Sequence, residues 1–205
     1  MTTVSRRLYS FLLSLLVITI ALCLQSGSAY AQGNIKSGFI TDILSDLGQV
    51  SGQVMSLEGA MPQDKFTWRP GEGVRSVSET YLHIADGNYL VMSFTGVKSP
   101  IDTKALMDEK TRESLTTDKA KIAEALKVSF EWTKIAISKL TEADLQKKVE
   151  FFGQKGTVRS LVLGTITHIH EHLGQLVAYA RMNGVVPPWT AAAQAQSKKN
   201  EEKKK

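Results

Sequence analysis

Cysteine is nearly absent from this chain. Cys23 is the single one among 205 residues, and it falls in the N-terminal leader. The mature chain then has none, which excludes disulfides, a thiol nucleophile and thiolate metal ligands. Any metal site must be built from His, Asp or Glu. A basic excess is absent as well, despite a formal charge of +5. Arg6 and Arg7 contribute +2 in residues 1–31, and five lysines with two glutamates contribute +3 in residues 198–205, so residues 32–197 are neutral. A nucleic-acid-binding domain concentrates basic residues on its folded part. None do so here, and nucleic acid is not an expected partner. Long apolar runs are equally scarce, the clearest being residues 11–24.

That run belongs to a secretory signal peptide at residues 1–31. Arg6 and Arg7 form the basic start, residues 11–24 the apolar middle, and Ala29-Tyr30-Ala31 a small-x-small cleavage site. The middle is short for a membrane span. Bulky Leu22 before Cys23 argues against a lipoprotein. Cleavage is expected after Ala31, with a periplasmic or secreted product and no stable membrane insertion thereafter.

The mature domain, residues 32–190, reads as all-α. A first helix over 34–60 repeats Ile35, Phe39, Ile40, Ile43, Leu47, Val50, Val54 and Leu57 at helical spacing. Gly38, Gly48, Gly52 and Gly59 each weaken it by roughly 1 kcal/mol against alanine. Two of them should mark close approach by a neighbour. Residues 61–75 hold Pro62, Pro70, Gly71 and Gly73, with Trp68 as a cover over the end of the core. Ser76 and Glu79 form a capping box that opens a second helix, through about Phe94. A long polar connection with room for one helical turn occupies 97–116. The third helix starts at Thr117-Asp118 and runs to about Leu140, with Ile122, Leu126, Phe130, Thr133 and Ile137 inward. Thr141 to Asp144 is a second capping box. Residues 147–155 alternate briefly and end in glycines, which suggests an extended or hairpin-like piece. The last helix runs from Thr157 to Asn183, with Gly184 as a left-handed stop. Residues 191–205 are Ala/Gln- and then Lys/Glu-rich, composition that cannot order itself by apolar burial, so a disordered tail is expected. Together these make a four-helix bundle with a long connection between helices 2 and 3 and a short extended piece before helix 4.

There are four histidines. His168 and His172 are four apart on the last helix and share one face. His170 points about 200° away from His168 and belongs to the surface. Such a pair has two readings, polar groups of the core or metal ligands. His83 adds a third imidazole, on a helix that a bundle would bring alongside. Three neutral imidazoles with open positions suit a divalent transition metal, Zn or Ni before Fe or Mn, in a catalytic rather than a closed site. The segment also fits H-x-x-E-H, in which Glu171 would be a general base, although a solvated surface acid is the simpler account of Glu171. Asp42, Asp46 and Asp86 are candidates for supporting carboxylates.

Phe66-Thr67-Trp68-Arg69-Pro70, the stretch Ser76-Val77-Ser78-Glu79-Thr80-Tyr81-Leu82-His83-Ile84-Ala85, the pattern H-x-x-x-H-x-G-Q from His168 to Gln175, and the ending from Tyr179 to Pro188 follow one another over about residues 35–189. In order and spacing they resemble the DinB-like superfamily, also called DinB/YfiT-like metalloenzymes. The resemblance implies a four-helix bundle with an unusual connection, a His-triad divalent metal site and often a homodimer. It also implies thiol-dependent transferase, hydrolase or isomerase chemistry, with a small-molecule or thiol substrate. Leu173 departs from that pattern, which often has arginine there. Export is a second departure, because the thiols used by such enzymes are mainly cytoplasmic. The functional expectation is a metal-dependent transferase or hydrolase that activates water or a thiol; the alternative is a metal- or partner-binding bundle without turnover.

Overall fold

The computed structural model describes residues 38–107 and 113–203. The leader, Ile35 and the start of the first helix lie outside them. Four long helices form the bundle: α1 (Gly38–Ala60), α2 (Val77–Ser93), α3 (Lys119–Ser138) and α5 (Val158–Met182). A short helix α4 (Glu142–Leu145) and a two-stranded antiparallel hairpin, β1 (Lys148–Phe151) and β2 (Gln154–Thr157), lie between α3 and α5. Helix α1 packs on α3 and α5, and α2 packs on the same two. Helices α1 and α2 are consecutive in sequence yet occupy opposite corners of the bundle. The long 61–76 connection makes that diagonal step, and it places α2 beside α5.

The core follows the predicted stripes. Ile40, Ile43, Leu47, Val50, Val54 and Leu57 of α1 are buried, as are Ile122, Leu126, Phe130, Thr133 and Ile137 of α3. Each fully buried aliphatic side chain contributes about 1.5–3 kcal/mol by leaving water. The expectation for the α1 glycines is corrected. A Cβ at Gly38, Gly48, Gly52 or Gly59 would meet nothing within 4 Å, so none marks a close approach.

Both predicted capping boxes form, at Ser76/Glu79 and Thr141/Asp144, and Thr157 with Ser160 makes a third. The 61–76 connection also serves the start of α2. The Val77 and Ser78 amides, which have no partner within the helix, donate to the carbonyls of Trp68 (3.0 Å) and Phe66 (2.9 Å). Phe66 is buried against Tyr81, and Trp68 sets its edge against Tyr179 at 5.3 Å between centroids. The predicted cover is therefore a clamp on α2 and α5. At the far end Gly184 takes φ +74° and stops α5 as expected.

The hairpin turn is Phe152-Gly153, both at positive φ (48° and 76°). A two-residue turn of this kind favours Asn-Gly. A bulky residue in the left-handed region costs roughly 1–2 kcal/mol, so Phe152 is held under strain.

The tail differs from expectation. Residues Pro188–Glu202 form a helix, α6. None of its residues is buried, in line with the compositional argument. Burial is not what orders it: Pro188 sits at the first helical position, where its fixed φ suits a helix, and the alanines that follow are the strongest helix formers. Trp189 packs its ring on the core and ties the helix down. Among the described residues no helix is long and apolar enough to cross a membrane.

Candidate metal centre

Helices α2 and α5 bring His83, His168 and His172 together. One ligand-type atom from each lies within 4.8 Å of the others, the only such group of three or more among the described residues. The ring centroids form a near-equilateral triangle of 4.6, 4.6 and 4.9 Å. His83 Nε2 and His168 Nε2 are 3.0 Å apart. Two imidazole nitrogens on one tetrahedral zinc would be about 3.3 Å apart, so the present spacing is close to what a shared ion needs.

Two of the rings are oriented by hydrogen bonds. His83 Nδ1 donates to Glu113 Oε1 at 2.6 Å, and Arg75 Nε donates to the other carboxylate oxygen, Oε2, at 2.6 Å. An ionised carboxylate only accepts, so His83 carries a proton on Nδ1, and in its neutral form it turns a bare Nε2 to the centre. The second arm starts at the Arg75 carbonyl, which also only accepts. Tyr179 donates its hydroxyl proton there (3.1 Å), accepts from Gln175 Nε2 (2.6 Å), and so leaves Gln175 Oε1 facing His172 Nδ1 (2.8 Å). His172 therefore holds its proton on Nδ1, and Nε2 is bare as well. Arg75 anchors both arms, one through its side chain and one through its backbone.

His168 is placed by space and by its contact with His83 inside the triad. A Cβ on Gly87 would lie 2.6 Å from His168 Cε1 and 3.2 Å from Nδ1, so the ring occupies room that only glycine leaves on α2. With His83 Nε2 bare, the 3.0 Å contact has His168 Nε2–H as donor. A metal ion would take that proton's place.

Burial favours the neutral imidazole, the form that binds metal, at His168 and His172. Burial, then the charges of His172, His83 and Arg75, push His168 down to about 3. Burial also lowers His172, against the opposing bond from Gln175. Burial alone would raise the Glu113 carboxyl; the bonds and charges of His83 and Arg75 reverse this and hold it below the usual carboxylate range. Glu113 is thus an ionised orienting group with both oxygens engaged.

The triad opens into a cavity of about 460 Å³ between α2, α5 and the hairpin, with His83 and His168 in its wall. Of the proposed supporting acids, only Asp86 lines this cavity. Asp46 accepts from His170 Nε2 at 2.9 Å, so the surface histidine that the helical wheel set apart has its own partner there. Asp42 is exposed on α1, and Glu171 is exposed on α5, which removes the basis for its role as a base at the triad. Leu173 is buried in the core. Sequence reasoning missed Glu113, Arg75 and Gly87. Glu113 stands in the weakly patterned 97–116 connection, 30 residues from His83, where no periodicity reports facing.

A family model described as the DinB family matches residues 37–204. A DinB-like protein from Bacillus cereus superposes with a TM-score of 0.62 at 19% identity, over 71% of this chain and 93% of that one. YfiT from Bacillus subtilis, reported as a probable metal-dependent hydrolase with an unusual four-helix bundle topology, gives 0.56 at 17% identity, over 75% and 93%. The mycothiol-dependent maleylpyruvate isomerase gives 0.55 at 14% identity, over 67% of this chain and 60% of its own. No curated protein matches the sequence. At such identities the shared property is the fold.

Proposed function

This chain belongs to the DinB family, and we propose that it is a metal-dependent enzyme whose ion is held by His83, His168 and His172. The observation that carries the reading is the pairing of His83 and His172, each with Nδ1 engaged and Nε2 left over, in one three-histidine cluster with His168, whose Nε2 is 3.0 Å from His83 Nε2. Core histidines kept for stability need no such convergence. Three neutral nitrogens suit Zn or Ni first, then Fe or Mn. A divalent ion with open positions lowers the pKa of a water or thiol and supplies a nucleophile at neutral pH.

The residues of the chain have separate tasks. Glu113 and the Gln175–Tyr179 arm hold the tautomers. Gly87 admits His168 close to α2. The cavity beside His83 and His168 admits a substrate while α2, α5 and the hairpin limit water. The reaction is that of a transferase or hydrolase, a reading supported by the descriptions of the hydrolase and isomerase relatives. The signal peptide read at residues 1–31 supports export before metal loading, and the resemblance supports a homodimer.

One observation favours a second reading, metal binding without turnover. Both oxygens of Glu113 are committed, so the carboxylate nearest the triad is not free to act as a base.

The first test is metal content of the mature protein by elemental analysis, beside His83→Ala and His172→Ala. About one ion per chain, lost in both variants, is expected. Metal retained by folded His83→Ala would sink the triad. The zinc-loaded protein is then assayed with 4-nitrophenyl acetate and with cysteine plus 1-chloro-2,4-dinitrobenzene. Turnover abolished by His83→Ala supports the enzyme, whereas bound metal with no turnover of either supports the second reading.

A further inference from the structure

The hairpin contributes more to the cavity than closure. Its turn holds Phe152 at φ +48°, a conformation a phenylalanine adopts only under constraint. The ring is 62% exposed, yet it lines the cavity and packs edge-on against Phe151, which packs in turn on Phe94 of α2's C-cap. Strain retained at the rim of a site points to a use for the side chain it presents. From β2 the same hairpin adds Lys155, the one lysine or arginine among the described residues of the cavity wall. Buried Leu90, Leu106 and Leu161 add apolar wall. Two acids also line it. Glu113 is neutralised by Arg75, and Asp86 is the other acid of the wall.

We propose that the hairpin is the recognition element of this cavity, and that its ligand is a small organic anion with a flat apolar body, which stacks on Phe152 and pairs its charge with Lys155. The volume of about 460 Å³ falls in the range of small-molecule sites. A polar sugar would leave the apolar wall unused, and a cation would face Lys155 unfavourably. The inference rests on the reading of the triad as the reactive end of the same cavity, but it concerns binding and can be tested without turnover.

Two features of the chain allow the cavity to be altered without loss of the fold. Phe152→Asn puts a residue suited to positive φ into the turn and removes the ring. Gly164, one turn before His168 on α5, lines the cavity, and a Cβ there meets nothing within 4 Å. Gly164→Leu therefore fills the space from a helix interior that gains propensity.

The probes are 2-naphthoate and its neutral counterpart 2-naphthalenemethanol, measured by titration calorimetry on zinc-loaded and chelator-stripped protein, with metal content determined on the same samples. Wild type should bind both, the carboxylate more tightly, with the preference surviving metal removal. Lys155→Gln should weaken the carboxylate about fivefold and leave the alcohol unchanged. Phe152→Asn should weaken both by about fivefold to tenfold, and Gly164→Leu should abolish both. The proposal is overturned if wild type binds neither probe, if binding survives Gly164→Leu, or if Lys155→Gln changes both probes alike. A chain that holds no metal but keeps this binding pattern counts against the triad alone; a metal-bound chain that binds neither probe counts against the hairpin alone.

Discussion

The three histidines of the triad are held in two different ways. His83 and His172 are aimed by hydrogen bonds that end on groups able only to accept, the Glu113 carboxylate and the Arg75 carbonyl. His168 bonds only within the triad, to His83, and its ring is otherwise fitted into the space left by the missing side chain of Gly87 on α2. Bonds set the tautomer as well as the direction. Space sets only direction, and it tolerates no added atom. The two modes should therefore fail differently.

Gly87→Ala should do the most damage. Its Cβ would press on the His168 ring, which must move away from the other two. We expect metal affinity to fall by at least about 100-fold, more than the loss of one outer partner usually costs. The helix itself should tolerate or gain from alanine, by about 0.5–1 kcal/mol. An unchanged metal affinity in a competition titration would remove the steric half of the comparison. Glu113→Gln comes next. The isosteric amide keeps the shape but offers a neutral acceptor, so a loss of about 10–100-fold in affinity is expected, with circular dichroism unchanged. Tyr179→Phe breaks only the outer link of the second arm, and a loss of a few fold is expected because Gln175 still reaches His172. Equal losses in these last two variants would show that the arms do not differ with distance.

Acid should act on both modes in the metal-free protein. The folded values of His168 and His172 lie below the ordinary histidine value of 6.5, so the unfolded chain takes up these protons first as pH falls. The stability is then fully present above about 6.5 and is lost as pH falls toward 3, where His168 itself titrates in the fold. The melting temperature of chelator-treated protein should drop between pH 7 and 5, and His168→Leu should flatten that slope. The smallest effect belongs to His170→Ala, whose ring faces Asp46 on α1. Metal content should not change, and a loss would mean that the face assignment on α5 is wrong.

The boundaries of α2, α3 and α5, the buried stripes and the separation of His170 from His168 and His172 were legible in the sequence, because helical periodicity and caps are local properties. The C-terminal helix was misread for the converse reason. The composition of residues 191–205 reports a lack of burial, but alanine propensity and the Pro188 start act without burial. Glu113 and Arg75 were not legible at all. They lie in the connections between the long helices, and which atom such a side chain reaches depends on how helices far apart in sequence are stacked.

By itself the sequence determined four amphipathic helices, the stripe that carries His168 and His172, and the shortage of ligand types that left imidazole as the main metal donor. Only the tertiary structure decided that α1 and α2 take opposite corners, that α2 lies beside α5, and that Gly87 faces His168. It also decided that one arginine orients two histidines, through its side chain and through its carbonyl. The physical reason is range. Caps and periodicity act over a few residues along the chain, whereas tautomers, burial and the space beside Gly87 depend on atoms that meet only after the bundle has packed.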